Sequence, residues 1–111
     1  MTSQYFYLAT TYTRHPDGHH QAFVDACRVA ADLMNRGINV FCPISHSHPI
    51  ANHGNLDAAD HEFWMRMDRP FMDGACGIIV CRMPGWEQSR GIAEEIAVFK
   101  AAGKPVWYCD P

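Results

Sequence analysis

The chain has 111 residues, enough for one domain with one hydrophobic core. Its formal charge of −3 argues against nucleic-acid binding through phosphate neutralisation, and no apolar run is long enough for a membrane-spanning helix. The amino-terminal stretch Met1–Tyr5 lacks the basic segment and apolar core of a signal peptide, and five cysteines without Cys-x-x-Cys spacing read as reduced thiols, so a cytoplasmic location is expected.

Tyr5–Ala9 reads as a first strand, followed by a polar turn from Thr10 to Gly18. A helix is expected over His19–Arg36. Phe23, Cys27, Ala30, Ala31 and Met34 recur there at helical spacing, with Gly37 as its cap. Ile38–Cys42 is a second strand, stopped by Pro43. The stretch Ile44–Asn55, rich in His, Ser and Pro, reads as a long loop. A helix over Asp57–Met72 follows, with Pro70 a candidate break. Gly77–Cys81 is a third, wholly apolar strand. Beyond the Arg82–Gln88 loop come a helix over Ser89–Ala102 and a last strand, Pro105–Cys109.

Strands alternating with helices specify an α/β fold. The expectation is a single domain over residues 1–111, a small three-layer sandwich of flavodoxin or Rossmann-like type. Its four-stranded parallel sheet should run in the order 2-1-3-4. Ligands of such sheets bind beyond the carboxyl ends of the strands. The Thr10–Gly18 turn, the His46 loop and the Arg82–Ser89 loop should gather there.

The most informative segment is Gly85–Glu95. Ser89 and Gly91 stand where a helix begins, and the unpaired N–H groups of a helix start suit an anionic ligand. Successive helical residues advance by about 100°. Ile92, Ile96, Phe99 and Ala102 therefore form the buried stripe, with Glu95 at its edge and Glu94 on the far side. Glu94 should be a solvated charge. Glu95 should be partly buried and open to tuning, as either a functional carboxylate or one more acid near a helix start.

Arg82 and Arg90 would favour a phosphate, or are solvated surface groups. Trp86 either stacks on a base or anchors its loop. Tyr7 and Tyr12 are assigned to the pocket. Of the seven histidines, His46 follows a strand end and is the candidate substrate contact. His46-Ser47-His48 does not make a metal site without a companion Cys-x-x-Cys or a histidine pair within a helix, so neither metal nor cofactor is expected. The Met and aromatic run from Phe63 to Met72 serves the core, with an oligomer interface as an additional use.

With these residues in place, the chain resembles the nucleoside 2-deoxyribosyltransferase-like superfamily, which includes deoxynucleoside-monophosphate N-glycosidases. It is most similar to a small branch carrying Gly-Trp-x-x-Ser-x-Gly. Tyr7-Leu8-Ala9-Thr10-Thr11-Tyr12 looks like the family's opening strand and turn, with Tyr7, Thr10 and Tyr12 at the pocket. Ser89-x-Gly91-x-x-x-Glu95 keeps the spacing of its phosphate-binding Ser and Gly and its nucleophilic Glu. Asp68 stands at the place of a family catalytic Asp. The resemblance implies hydrolysis or transfer at the N-glycosidic bond of a nucleoside or nucleoside monophosphate, with Glu95 as nucleophile and Asp68 as second acid. It also implies a homo-oligomer. Three features depart from the family. Cys76 stands where an Asp is common, the Asp68–Ser89 interval is longer, and the His46-Ser47-His48 stretch belongs to the branch. A non-catalytic nucleotide-binding module and a regulatory subunit are the competing readings.

Overall fold

A computed structural model describes residues 3–111; Met1 and Thr2, part of the amino-terminal segment considered above, lie outside the described residues. In chain order the elements are β1 (Phe6–Ala9), α1 (Gly18–Asn35), β2 (Val40–Phe41), α2 (Pro43–Gly54), α3 (His61–Gly74), β3 (Gly77–Cys81), a 3₁₀ turn at Trp86–Gln88, α4 (Arg90–Ala101) and β4 (Val106–Cys109). All strand pairs are parallel, as the alternation of elements predicts, and the sheet order is the expected β2-β1-β3-β4. No helix of the described residues is long and apolar enough to cross a membrane.

The pleat of the inner strands sorts the core onto two faces. Leu8, Ile79 and Cys81 pack with Ala26, Val29, Ala30 and Leu33 of α1. Tyr7, Ala9, Ile78 and Val80 point the other way, against Met72 of α3 and Ile92 and Phe99 of α4. The result is the expected three-layer arrangement. Gly37, at φ 82°, takes the left-handed conformation that ends α1. Its N–H bonds the Met34 carbonyl, and the Ile38 N–H bonds that of Leu33, which closes a Schellman motif.

Several expectations need correction. The stripe of α1 that faces the sheet is Ala22, Ala26, Val29, Ala30 and Leu33, not the row through Phe23, Ala31 and Met34; Met34 is exposed. Both rows are apolar at helical spacing, so periodicity alone does not choose between them. Ala102 is likewise exposed, because α4 ends one residue earlier.

The largest correction concerns Ile44–Asn55, which is helix α2 rather than a loop. Pro43 sits in the first turn, where its fixed φ suits a helix and no N–H is needed. Asn55, at φ 58°, ends the helix in the left-handed conformation. Between them Pro43, His48 and Ala51 are buried. That burial outweighs the weak propensities of His and Ser and the interior Pro49. Because α2 starts so early, β2 is only two residues long. Helix α3 starts later than expected, at His61, because Asp60 caps it by accepting the Phe63 N–H at 3.2 Å. It runs through Pro70 without ending.

Candidate active site

The segments after β1 and β2 meet the starts of α3 and α4 around one cleft of about 300 Å³. This lies at the small end of ligand sites, which run from roughly 300 to 1,000 Å³. Thr10, Tyr12 and Arg14 come from beyond β1, and Pro43, Ile44 and His48 from α2. Helix α3 supplies His61, Trp64, Met65 and Asp68, and α4 supplies Ser89, Arg90, Gly91 and Glu95.

Asp68 and Glu95 are distant in the chain but share this cleft, with residue exposures of only 8% and 7%. Tyr7, fully buried on β1, donates its hydroxyl to Glu95 Oε2. Burial pushes the Asp68 carboxyl up to about 6, partly offset by the polar Tyr7 hydroxyl nearby. Burial pushes Glu95 further, to about 8; the Tyr7 bond opposes this, while the charges of Asp68 and Glu94 add to it. Two interacting carboxyls raised in this way hold one proton between them near neutral pH. The Tyr7 phenol is itself raised well above its ordinary range, first by burial and then by Glu95 and Asp68, so it remains a donor.

Glu94, one residue earlier, points elsewhere. It bonds His61 Nε2 at 2.6 Å and Arg90 Nε at 3.1 Å, so it is paired rather than merely solvated. The His61 bond is the main cause of its lowered pKa.

Ser89 caps α4, its Oγ accepting the Ile92 N–H at 3.2 Å. The first amides of the helix keep no partner within it, and Ser89, Arg90 and Gly91 all border the cleft. A Cβ at Gly91 would meet no neighbouring side chain closer than Ser89 Oγ at 3.8 Å, so the space glycine leaves open belongs to the cleft. Arg14 also lines the mouth. Its loop is fixed from two sides. His15 is buried, with Nε2 2.8 Å from Asp25 and Nδ1 accepting the Asp17 N–H. Gly85, at φ 88°, lies so close to the Arg14 carbonyl that any Cβ would collide with it.

On the opposite wall, Tyr12 bonds His48 Nδ1 at 2.8 Å, and His48 Nε2 meets Asn52 Nδ2 at 3.1 Å. The Thr10 hydroxyl, which borders the cleft, is buried without a hydrogen-bond partner.

The cleft thus brings together Asp68, Glu95, Thr10, Tyr12, Ser89 and Gly91 of the residues singled out in the sequence, with Tyr7 directly behind the acids. His46 and Trp86 lie elsewhere. His46 is exposed on α2 and packs on Phe41 and Phe71, with ring centres 5.4 and 5.8 Å away. Trp86 meets Tyr108 edge-on at 5.9 Å and packs on the core, the loop-anchor alternative. Arg82 pairs with Asp110 at 2.9 Å instead of facing the cleft. Cys76 donates its thiol to the Tyr5 carbonyl at 3.2 Å, at the start of β3.

Sequence reasoning overlooked His48, Asn52, His61 and Arg14. Once Ile44–Asn55 is seen as a helix, the four-residue spacing of His48 and Asn52 puts them on one face. Nothing in the sequence distinguishes Arg14 from other polar turn residues.

The sequence matches, over residues 4–110, a family described as a domain of unknown function (DUF1937), and the chain belongs to that family. No curated protein matches it.

Proposed function

We propose that the protein acts on the N-glycosidic bond of a nucleoside or nucleoside monophosphate, with Glu95 as nucleophile and Asp68 as the acid that meets the departing base. One observation carries this reading: two buried carboxyls from different helices line one cleft, Glu95 bonded to a buried phenol, beside the capped start of α4.

Cleaving a glycosidic bond places positive charge on the sugar, which a carboxylate at the anomeric carbon stabilises or captures. Protonating the base makes it a better leaving group. In the unliganded cleft the proton rests mainly on Glu95, because its pKa is the higher of the two. Chemistry needs the reverse arrangement, with Glu95 ionised and Asp68 protonated. The Tyr7 hydroxyl donates to Glu95 and favours its ionised form, which assists that exchange. The bond from Glu95 to the anomeric carbon forms as the bond to the base breaks, and the Asp68 proton goes to the base. Water then releases the sugar, or a second base accepts it. The amides at the start of α4, with Ser89, Arg90 and Arg14, suit a 5′-phosphate or a 5′-hydroxyl.

A panel of nucleosides, deoxynucleosides and their 5′-monophosphates, assayed for base release with and without an acceptor base, tests the reading. Release by the wild type and none by Glu95→Gln is the expected outcome. Full activity in Glu95→Gln would remove the proposal. A non-catalytic nucleotide-binding module is the second reading, favoured by the proton that burial keeps on Glu95 near neutral pH. It predicts nucleotide binding without base release.

The homo-oligomer reading draws support from exposed apolar side chains on adjacent helices, Met67 and Phe71 of α3 and Ile50 of α2. Sedimentation that shows a monomer at micromolar concentration would remove it.

A further inference from the structure

We propose that Asn52 fixes the proton of the His48 ring so that Tyr12 presents a hydroxyl donor to the cleft, which selects bases offering a carbonyl acceptor over those offering an amino group. The proposal rests on the nucleotide reading above and adds the polarity of the base subsite.

A neutral imidazole carries one N–H and one acceptor nitrogen. The Asn52 amide nitrogen can only donate, and it meets His48 Nε2 at 3.1 Å. Nε2 therefore accepts, and the hydrogen sits on Nδ1. That Nδ1–H points at the Tyr12 hydroxyl oxygen, 2.8 Å away. With its oxygen accepting, the phenol directs its own hydrogen elsewhere, and it has no other side-chain partner among the described residues.

Both rings are held in place. Phe23 stacks on His48 at 4.7 Å, and His19 stacks on Tyr12 at 4.1 Å with the planes only 10° apart. The ring also stays neutral. Burial lowers the His48 pKa, and the neighbouring His20 and His19 lower it further. Among the described residues no carboxylate bonds it; its polar partners are Tyr12 and Asn52.

The place of this donor follows from the sheet order. β1 lies between β2 and β3, so the α2 wall and the start of α4 face each other across the β1 tip. The α4 start suits the anionic end of a nucleotide, which leaves the base for the α2 wall. There Pro43, Ile44 and Ala51 give apolar surface beside the Tyr12 hydroxyl. A fixed donor on such a surface matches an oxo group. An amino group would set two donors against each other and leave both short of a partner.

Two measurements on the full chain test this. The first is the ¹⁵N spectrum of the histidine rings above pH 7. His48 is expected as the Nδ1–H tautomer, the minor form of free imidazole side chains, and Asn52→Leu should shift it toward Nε2–H. A wild-type His48 in the Nε2–H form overturns the proposal. The second is calorimetric binding of inosine against adenosine monophosphate and of uridine against cytidine monophosphate. The oxo member of each pair should bind about tenfold more tightly, the size of one well-placed hydrogen bond. Tyr12→Phe should bring the ratio to about one. A wild-type ratio near one, with nucleotides still bound, overturns the donor assignment and leaves the proposed function standing. Failure of all four, and of their deoxy forms with and without the phosphate, to bind overturns both.

Discussion

On the α3–α4 wall of the cleft, burial pushes two carboxyls up, Asp68 to about 6 and Glu95 to about 8. On the α1–α2 wall, burial pushes the His48 imidazole down. The physics is the same with opposite sign, since removal from water disfavours whichever form is charged. The partners differ. The acids line one cleft, where the Asp68 charge acts on Glu95 and a phenol bonds Glu95, so the pair titrates together. His48 sits between an amide and a phenol that leave a single choice of tautomer. One wall is built to transfer a proton and the other to hold one still. Glu94 provides the control within the same helix: one position along from Glu95, it finds His61 and Arg90 and its pKa falls.

Removing the mobile proton wall should cost most. Glu95→Gln is expected to lower kcat for base release by about 10⁴-fold or more, the scale seen when a nucleophile is lost. Asp68→Asn should cost about 10²- to 10³-fold, the range for a single acid or base. Activity within tenfold of wild type in either variant would break the assignment.

The pH profile sharpens the comparison. The productive form, Glu95 ionised with Asp68 protonated, is a minor tautomer of the singly protonated pair. Its population is flat between about pH 6 and 8 and falls on both sides, so kcat/KM should be a plateau with limbs near those values. Asp68→Asn should abolish the alkaline limb. A wild-type profile that climbs without limit above pH 8 would show that no proton is required.

Stability gives a smaller effect with a definite sign. Both acids have folded pKa values above their unfolded values of about 4. The folded protein therefore binds more protons, and stability should fall as pH rises from about 4 through 6 and then 8. Glu95→Gln removes the buried charge but keeps the shape. At pH 8.5 it should stabilise the fold by on the order of 2 kcal/mol and raise Tm by several degrees, with no gain at pH 4. Equal melting shifts at both pH values would mean that the carboxyl is not desolvated in solution.

The two walls also differ in how openly the sequence declares them. The strand–helix alternation, the α4 cap at Ser89 and the burial of Glu95 over Glu94 all follow from apolar periodicity and helix-start chemistry, which are local signals. The α1–α2 wall depends on a helix whose His, Ser and Pro residues have weak helical preference. The Pro at its start and the Gly-Asn at its end were the available cues. With Ile44–Asn55 treated as a loop, nearness to the strand end singles out His46 rather than His48. The helix turns His48 into the cleft and His46 toward Phe41 and Phe71. Trp86 was undecidable for another reason, since whether a loop aromatic meets ligand or core depends on tertiary neighbours such as Tyr108.

The most direct test of the acid pair is chemical capture. A nucleotide carrying fluorine at the sugar 2′ position slows release of a glycosyl enzyme, so intact-mass and peptide mapping can locate the attached sugar. The account predicts one sugar per chain, on the peptide holding Glu95, and none in Glu95→Gln. Base release by the wild type with the sugar attached to another residue, or with no attachment at all, would contradict it.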